Sequence, residues 1–161
     1  LELGTEEQKR RWIEPTLRGE IVWCQGYSEP GAGSDLASLR TSAREENGHF
    51  VINGQKIWTS TAREADMIFC LVRTETEAPK HAGISYLIFS MDLTGIEVRP
   101  LKTMTGHAEF NETFFTDVRV PVDQIAVSAA IISDWLHHTL SVSVAGWSST
   151  PRLYSPPRAW S

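Results

Sequence analysis

Apolar positions recur at helical spacing through about the first 20 residues, then at strand spacing for about 100 more. Thr5-Glu6-Glu7-Gln8 has the capping-box form, with a hydroxyl at the cap, acids in the first turn and Gln three residues on, ahead of Lys9, Arg10 and Arg11. A helix starts there. Pro15 limits it or begins a second short helix, and Gly19 stands where a helix end takes glycine. Downstream, Phe50-Val51-Ile52 and Ile57-Trp58-Thr59 flank Asn53-Gly54, a pair that tolerates positive φ and predicts a two-residue hairpin turn. Glu46-Asn47-Gly48 offers another turn, so residues 38–60 read as a meander of three short strands. The unbroken apolar run Met67 to Val72 predicts a strand buried on both faces. Ile84 to Phe89, Ile96 to Leu101 and Thr113 to Val120 predict further strands, punctuated by Pro79, Gly83, Gly95 and Gly106.

Many strands at close spacing with polar turns indicate a mainly β chain, an antiparallel β-sandwich or barrel-like domain. Residues 1–20 form a short helical segment before it, and residues 21–126 form the domain itself. Over 127–161 the pattern stops: Lys and Glu vanish, Ser becomes frequent, and Pro151, Pro156 and Pro157 arrive. An irregular, poorly ordered tail is expected there.

Composition narrows the function classes. A chain of 161 residues with 41% hydrophobic and 22% charged content fits one soluble globular domain. A net charge of -5 gives no general attraction to nucleic acid or anionic lipid, so an anionic ligand must be held by local groups. Cys24 and Cys70 lack metal-site or redox spacing and are expected to be reduced thiols. No stretch approaches the roughly 20 apolar residues of a membrane span, and no leader is recognised, so the expected location is cytoplasmic. The start at Leu1, directly into helical sequence, suggests a piece of a larger protein.

The chemistry-bearing stretch is "WCQGYSEPGAGSD", residues 23–35. Three readings compete for it: a serine nucleophile at Ser28, a glycine-rich cradle for a phosphorylated ligand, or a polar turn without ligand. The nucleophile needs G-x-S-x-G on a strand-to-helix turn, and Pro30 stands where the last glycine belongs. His49, His81, His107, His137 and His138 leave a base available by inventory. In the cradle reading, Gly31 and Gly33 let main-chain N–H groups face an anion while small Ala32 and Ser34 allow its approach. The stretch matches neither a Walker loop nor a dinucleotide fingerprint. Taken alone, Trp58 reads as an ordinary core or edge aromatic.

Three segments, "YSEPGAGSDL", "INGQKIWTS" and "FNETFFTDVRVP", resemble in order and spacing the central β-domain of the flavin-dependent acyl-CoA dehydrogenases. The likeness runs from about residue 3, where "GTEEQKRRWIEPTLRGE" is similar to the end of that family's N-terminal helical domain, to about Ile125. It implies FAD as cofactor, held by Gln25, Gly26, Tyr27, Ser28, Gly33 and Ser34 and by a second stretch, Trp58, Thr59 and Ser60. On this resemblance Ser28 is a hydrogen-bonding hydroxyl and Ser60 the contact near flavin N5. Ser34, Lys80 and His81 lie toward the CoA-binding side, while Asn111-Glu112 and Asp117 to Pro121 serve strand ends and subunit packing.

The implied reaction is α,β-desaturation of an acyl-CoA thioester, with proton loss to a carboxylate and hydride transfer to flavin N5. That carboxylate belongs to a C-terminal helical bundle absent from the sequence, so no residue here is assigned as catalytic. Electron-transfer flavoprotein as acceptor and a homodimeric or homotetrameric full-length protein are implied in the same way. As isolated, the chain is expected to be incomplete and inactive, the product of a truncated or frame-shifted gene. The rival expectations are a β-domain fragment that binds nothing tightly and a hydrolase using Ser28.

Overall fold

The computed structural model describes residues 5–127. The expected irregular tail over 127–161 therefore lies almost wholly outside the described residues. Helix α1, Glu6–Leu17, begins as its sequence dictates: Gln8 N donates to Thr5 Oγ1 at 3.2 Å while Thr5 N donates to Gln8 Oε1 at 3.0 Å. Pro15 is accommodated inside the last turn, and Gly19, at φ 71°, ends the helix as Glu20 N donates to Pro15 O. Side-chain contacts tie α1 to the β-domain, among them Trp23 Nε1 donating to Thr16 Oγ1 at 2.9 Å. Trp12 is buried edge-on against Trp23, centroids 6.4 Å apart, and Gln8 Nε2 donates to Asp123 O at 3.1 Å.

Eight strands follow: β1 Trp23–Gly26, β2 Ser42–Glu46, β3 His49–Ser60, β4 Met67–Arg73, β5 Ile84–Ser90, β6 Ile96–Leu101, β7 Phe110–Pro121 and β8 Ile125–Val127. They form one curled sheet in the order β6-β7-β3-β2-β4-β5-β8, with β1 paired to β4. The mainly β, barrel-like expectation is met. Most pairings are antiparallel, but β1 runs parallel to β4, and β2 meets β4 in parallel at Ser42 and Arg73. Because β5 occupies the other edge of β4, β1 and β2 share one edge, and residues 27–41 leave the sheet between them.

The predicted meander needs correction. Asn47-Gly48 makes the β2–β3 turn, with φ of 52° and 75°, but Asn53-Gly54 makes no turn. It lies inside the 12-residue β3, facing a β-bulge in β7. Asn53 closes that bulge with both ends of its amide: Nδ2 donates to Asp117 Oδ1 at 2.9 Å, and Asp117 N donates to Asn53 Oδ1 at 3.0 Å. Gly54 is required by close approach, since a Cβ there would lie 2.7 Å from Thr41 Cα.

The curl encloses Ile52, Ile68, Val72, Leu87, Phe89, Phe115, Val118 and Val120. Toward one end of β3 and β7 the buried positions become polar, with Lys56, Thr59, Asn111 and Thr113 all at 2% exposure or less. That change marks where the sheet stops serving only its own core.

Candidate functional site

Residues 27–41 carry most of the sequence-predicted contacts, and the sheet fixes them at their base. Glu29 and Ala32 exchange both backbone hydrogen bonds at 3.0 Å around Pro30-Gly31, making a tight turn rather than a strand-to-helix elbow. A serine nucleophile has no elbow to sit on. Ser28 instead joins the loop to β3, its carbonyl accepting from Ile57 N at 2.9 Å. The two predicted flavin stretches are thus hydrogen-bonded neighbours, with Ser28 one bond from the residue that precedes Trp58.

A buried ion pair reinforces this junction. Lys56, with no exposed side-chain surface, donates from Nζ to Glu29 Oε1 at 2.8 Å and to Tyr27 O at 3.1 Å. Glu29 is also buried, and its carboxylate accepts from Arg40 N at 2.6 Å and Thr41 N at 2.9 Å. Burial alone would raise the Glu29 pKa, but the Lys56 charge and the hydrogen bonds from Lys56, Thr41 and Arg40 outweigh it and hold the carboxyl below its ordinary value.

Trp58 sits on a second bulge. Between Lys56 and Thr59, two residues of β3 face one of β7, and Trp58 takes a left-handed φ of 62°. The residue is 56% exposed, and its ring rests edge-on against Phe110 with centroids 5.8 Å apart. Ser60 is exposed, whereas the Thr59 side chain points into the interior and Asn111 Nδ2 donates to Thr59 O at 2.9 Å. Among the described residues, the buried oxygens Thr59 Oγ1, Asn111 Oδ1 and Thr113 Oγ1 lack a hydrogen-bond partner.

The remaining predicted residues divide by environment. Gln25 is exposed on β1, while Gly26 is buried where a Cβ would lie 2.9 Å from Ile68 Cδ1, so any side chain there requires Ile68 and Cys70 to shift. Tyr27 is half-buried in an aromatic cluster with Phe69 and Tyr86. Gly33 and Ser34 are exposed. Neither Gly31 nor Gly33 has a left-handed backbone, and a Cβ at either would meet nothing within 4 Å. The chain's own packing therefore does not require those two glycines.

Lys80 Nζ reaches Asp35 Oδ2 at 3.1 Å and Ser38 Oγ at 2.7 Å, next to Ser34 in the chain. The Ser38 hydroxyl and the Lys80 ammonium hold the exposed Asp35 carboxyl below its ordinary pKa. Arg73 secures the same region, donating to Leu39 O, Ala37 O and Lys80 O. An open depression of about 470 Å³ lies beside Glu29, Gly31, Arg40 and Gln55, and neither Trp58 nor Ser60 lines it.

Sequence reasoning missed Glu29, Lys56 and Phe110. A lysine at an inward-facing strand position was the available signal, but the β7 bulge at Asn53 obscured which face Lys56 occupies.

Comparisons with known proteins give the chain its family. The profile described as "Acyl-CoA dehydrogenase, middle domain" matches residues 24–118. The chain belongs to the acyl-CoA dehydrogenase family. It is 53% identical over 129 residues to acyl-CoA dehydrogenase FadE34 of Mycobacterium tuberculosis, an alignment covering 80% of this chain and 18% of FadE34. In three dimensions it is similar to the ChsE4-ChsE5 complex from Mycobacterium tuberculosis at 40% identity and TM-score 0.77, covering 86% of this chain and 36% of that one. A Tcur3481-Tcur3483 steroid ACAD matches at 36% identity and TM-score 0.75, covering 93% of this chain and 45% of that one. The chain thus spans less than half the length of these relatives. The matched region is the family's middle domain. Among the described residues, no helix is long and apolar enough to cross a membrane.

Proposed function

We propose that this middle domain holds one side of an FAD and presents it to an acyl-CoA thioester for α,β-desaturation. The observation that carries the reading is the hydrogen bond from Ile57 N to Ser28 O, which joins the two family flavin segments beside the exposed Trp58 ring. The residues fit such a ligand. A broad apolar ring is held out to solvent on a bulge, an exposed hydroxyl stands two residues on at Ser60, and Gly31 and Gly33 leave open the space their side chains would fill.

Bound FAD supplies the acceptor for the substrate's β-hydride. Trp58 would pack against the ring system, with the Ser60 and Ser28 hydroxyls as its hydrogen-bonding partners. Backbone donors around Gly33 and Ser34 meet the pyrophosphate without formal charge. Ser34 and Lys80 face the CoA side together with His81, where Lys80 exchanges its pairing with Asp35 for a ligand phosphate. The α-proton would go to a carboxylate that the family resemblance assigns to none of the described residues.

The steroid relative supports a steroid-derived acyl group as substrate class. Likeness to a two-component complex supports assembly of the whole protein into larger units. Electron-transfer flavoprotein as acceptor rests on the family resemblance alone. Titrating the purified chain with FAD, followed by quenching of tryptophan fluorescence and by flavin absorbance, tests the reading. Saturable binding that Trp58→Phe weakens is expected; a chain that stays colourless and unquenched overturns it.

A further inference from the structure

We infer that the buried Lys56–Glu29 ion pair is a positioning device that sets the Tyr27-Ser28 segment against the Trp58 bulge; this rests on the flavin reading above. The pair gathers three separated stretches of the chain, at residues 27–29, 40–41 and 56. Lys56 holds Tyr27 O and the Glu29 carboxylate, and that carboxylate holds the N–H groups of Arg40 and Thr41. Both ends of the loop are therefore fixed on one contact, while Gly31, Gly33 and Ser34 between them stay exposed.

Stability alone gives little reason for such a pair. Taking two charges out of water costs about as much as their attraction returns, and apolar side chains of similar size would serve a core as well. What a charged, directional contact adds is a single geometry. Here it lies one residue from each end of the Ile57 N to Ser28 O bond and two residues ahead of Trp58, where β3 departs from regular strand geometry. A purely apolar contact would let the loop slide along β3 and lose that register.

The test uses the neutral double variant Glu29→Gln/Lys56→Met, which leaves no buried charge unpaired and so keeps the chain folded. Amide hydrogen exchange reads the clamp without cofactor. Protection of the Ile57 N–H is expected to fall at least tenfold, while the β3–β7 amides at Phe50 and Ile52 keep theirs. FAD affinity of the same variant is expected to fall at least tenfold, with a shifted absorbance of bound flavin. Unchanged Ile57 protection, or a uniform loss across β3, overturns the clamp. Ile57 loosening with FAD affinity and spectrum unchanged overturns its positioning role. Ile57 loosening in the variant, together with a wild-type chain that binds no FAD, overturns the flavin reading, and the positioning role with it.

Discussion

Two glycines, Gly54 on β3 and Gly33 in the 27–41 loop, differ in what they answer to. Gly54 has a neighbour in the chain itself: with φ at 152°, an added Cβ would meet Thr41 Cα at 2.7 Å and Thr41 Oγ1 at 2.6 Å. Gly54→Ala should therefore destabilise by about 2–3 kcal/mol or more, the size expected when backbone must move to admit a methyl group. Gly33 has no such neighbour and no left-handed φ, so Ala there reduces only the freedom of the unfolded chain. Gly33→Ala should leave stability unchanged or raise it by about 0.5 kcal/mol, while lowering FAD affinity severalfold. Urea melts beside FAD titrations check both. A Gly33→Ala chain that binds FAD as wild type does would remove that glycine from the cradle.

At the level of elements, the bulge on β3 and the ring it carries can be separated. A left-handed non-glycine residue costs about 1–2 kcal/mol, and the edge contact of Trp58 with Phe110 returns about 0.5–1.5 kcal/mol. These nearly cancel, so Trp58→Gly should change unfolding free energy by less than about 1 kcal/mol and yet abolish measurable FAD quenching. Loss of the β3–β7 pairing in that variant, seen by circular dichroism, would mean that the ring holds the strand. Periodicity made the elements themselves legible: the capping box of α1, the apolar run of β4, and β5, β6 and β7 all lie where alternation placed them. It misplaced one turn, because Asn53-Gly54 has the backbone freedom of a hairpin but uses its amide to bridge the β7 bulge. Residues 27–60 of the candidate site were legible through motif spacing. The Lys56–Glu29 pair beneath them was not, because an inward lysine only makes sense once its partner, 27 positions away, is in view.

Across the whole molecule, the charge buried at the loop base ties folding to pH. Glu29 is ionised in the folded chain at a pKa below the ordinary value of about 4.3 that it regains on unfolding. The unfolded chain therefore binds more protons in acid, and the pair's contribution is present above the unfolded value and lost as pH falls through the folded one. Protonating Glu29 removes the charge that faces Lys56 Nζ in the interior and leaves Tyr27 O as its other named acceptor. That raises the cost beyond the loss of one hydrogen bond. The sheet joins β3 to β2 and β7 on both edges, so disturbance at Lys56 reaches the long strands rather than stopping at a loop. Melting temperatures recorded from pH 7 down to about pH 3 should fall along a steeper acid limb for the wild-type chain than for Glu29→Gln/Lys56→Met, with the two curves parallel above about pH 5. Parallel curves over the entire range would show that the pair is not ionised as its geometry requires.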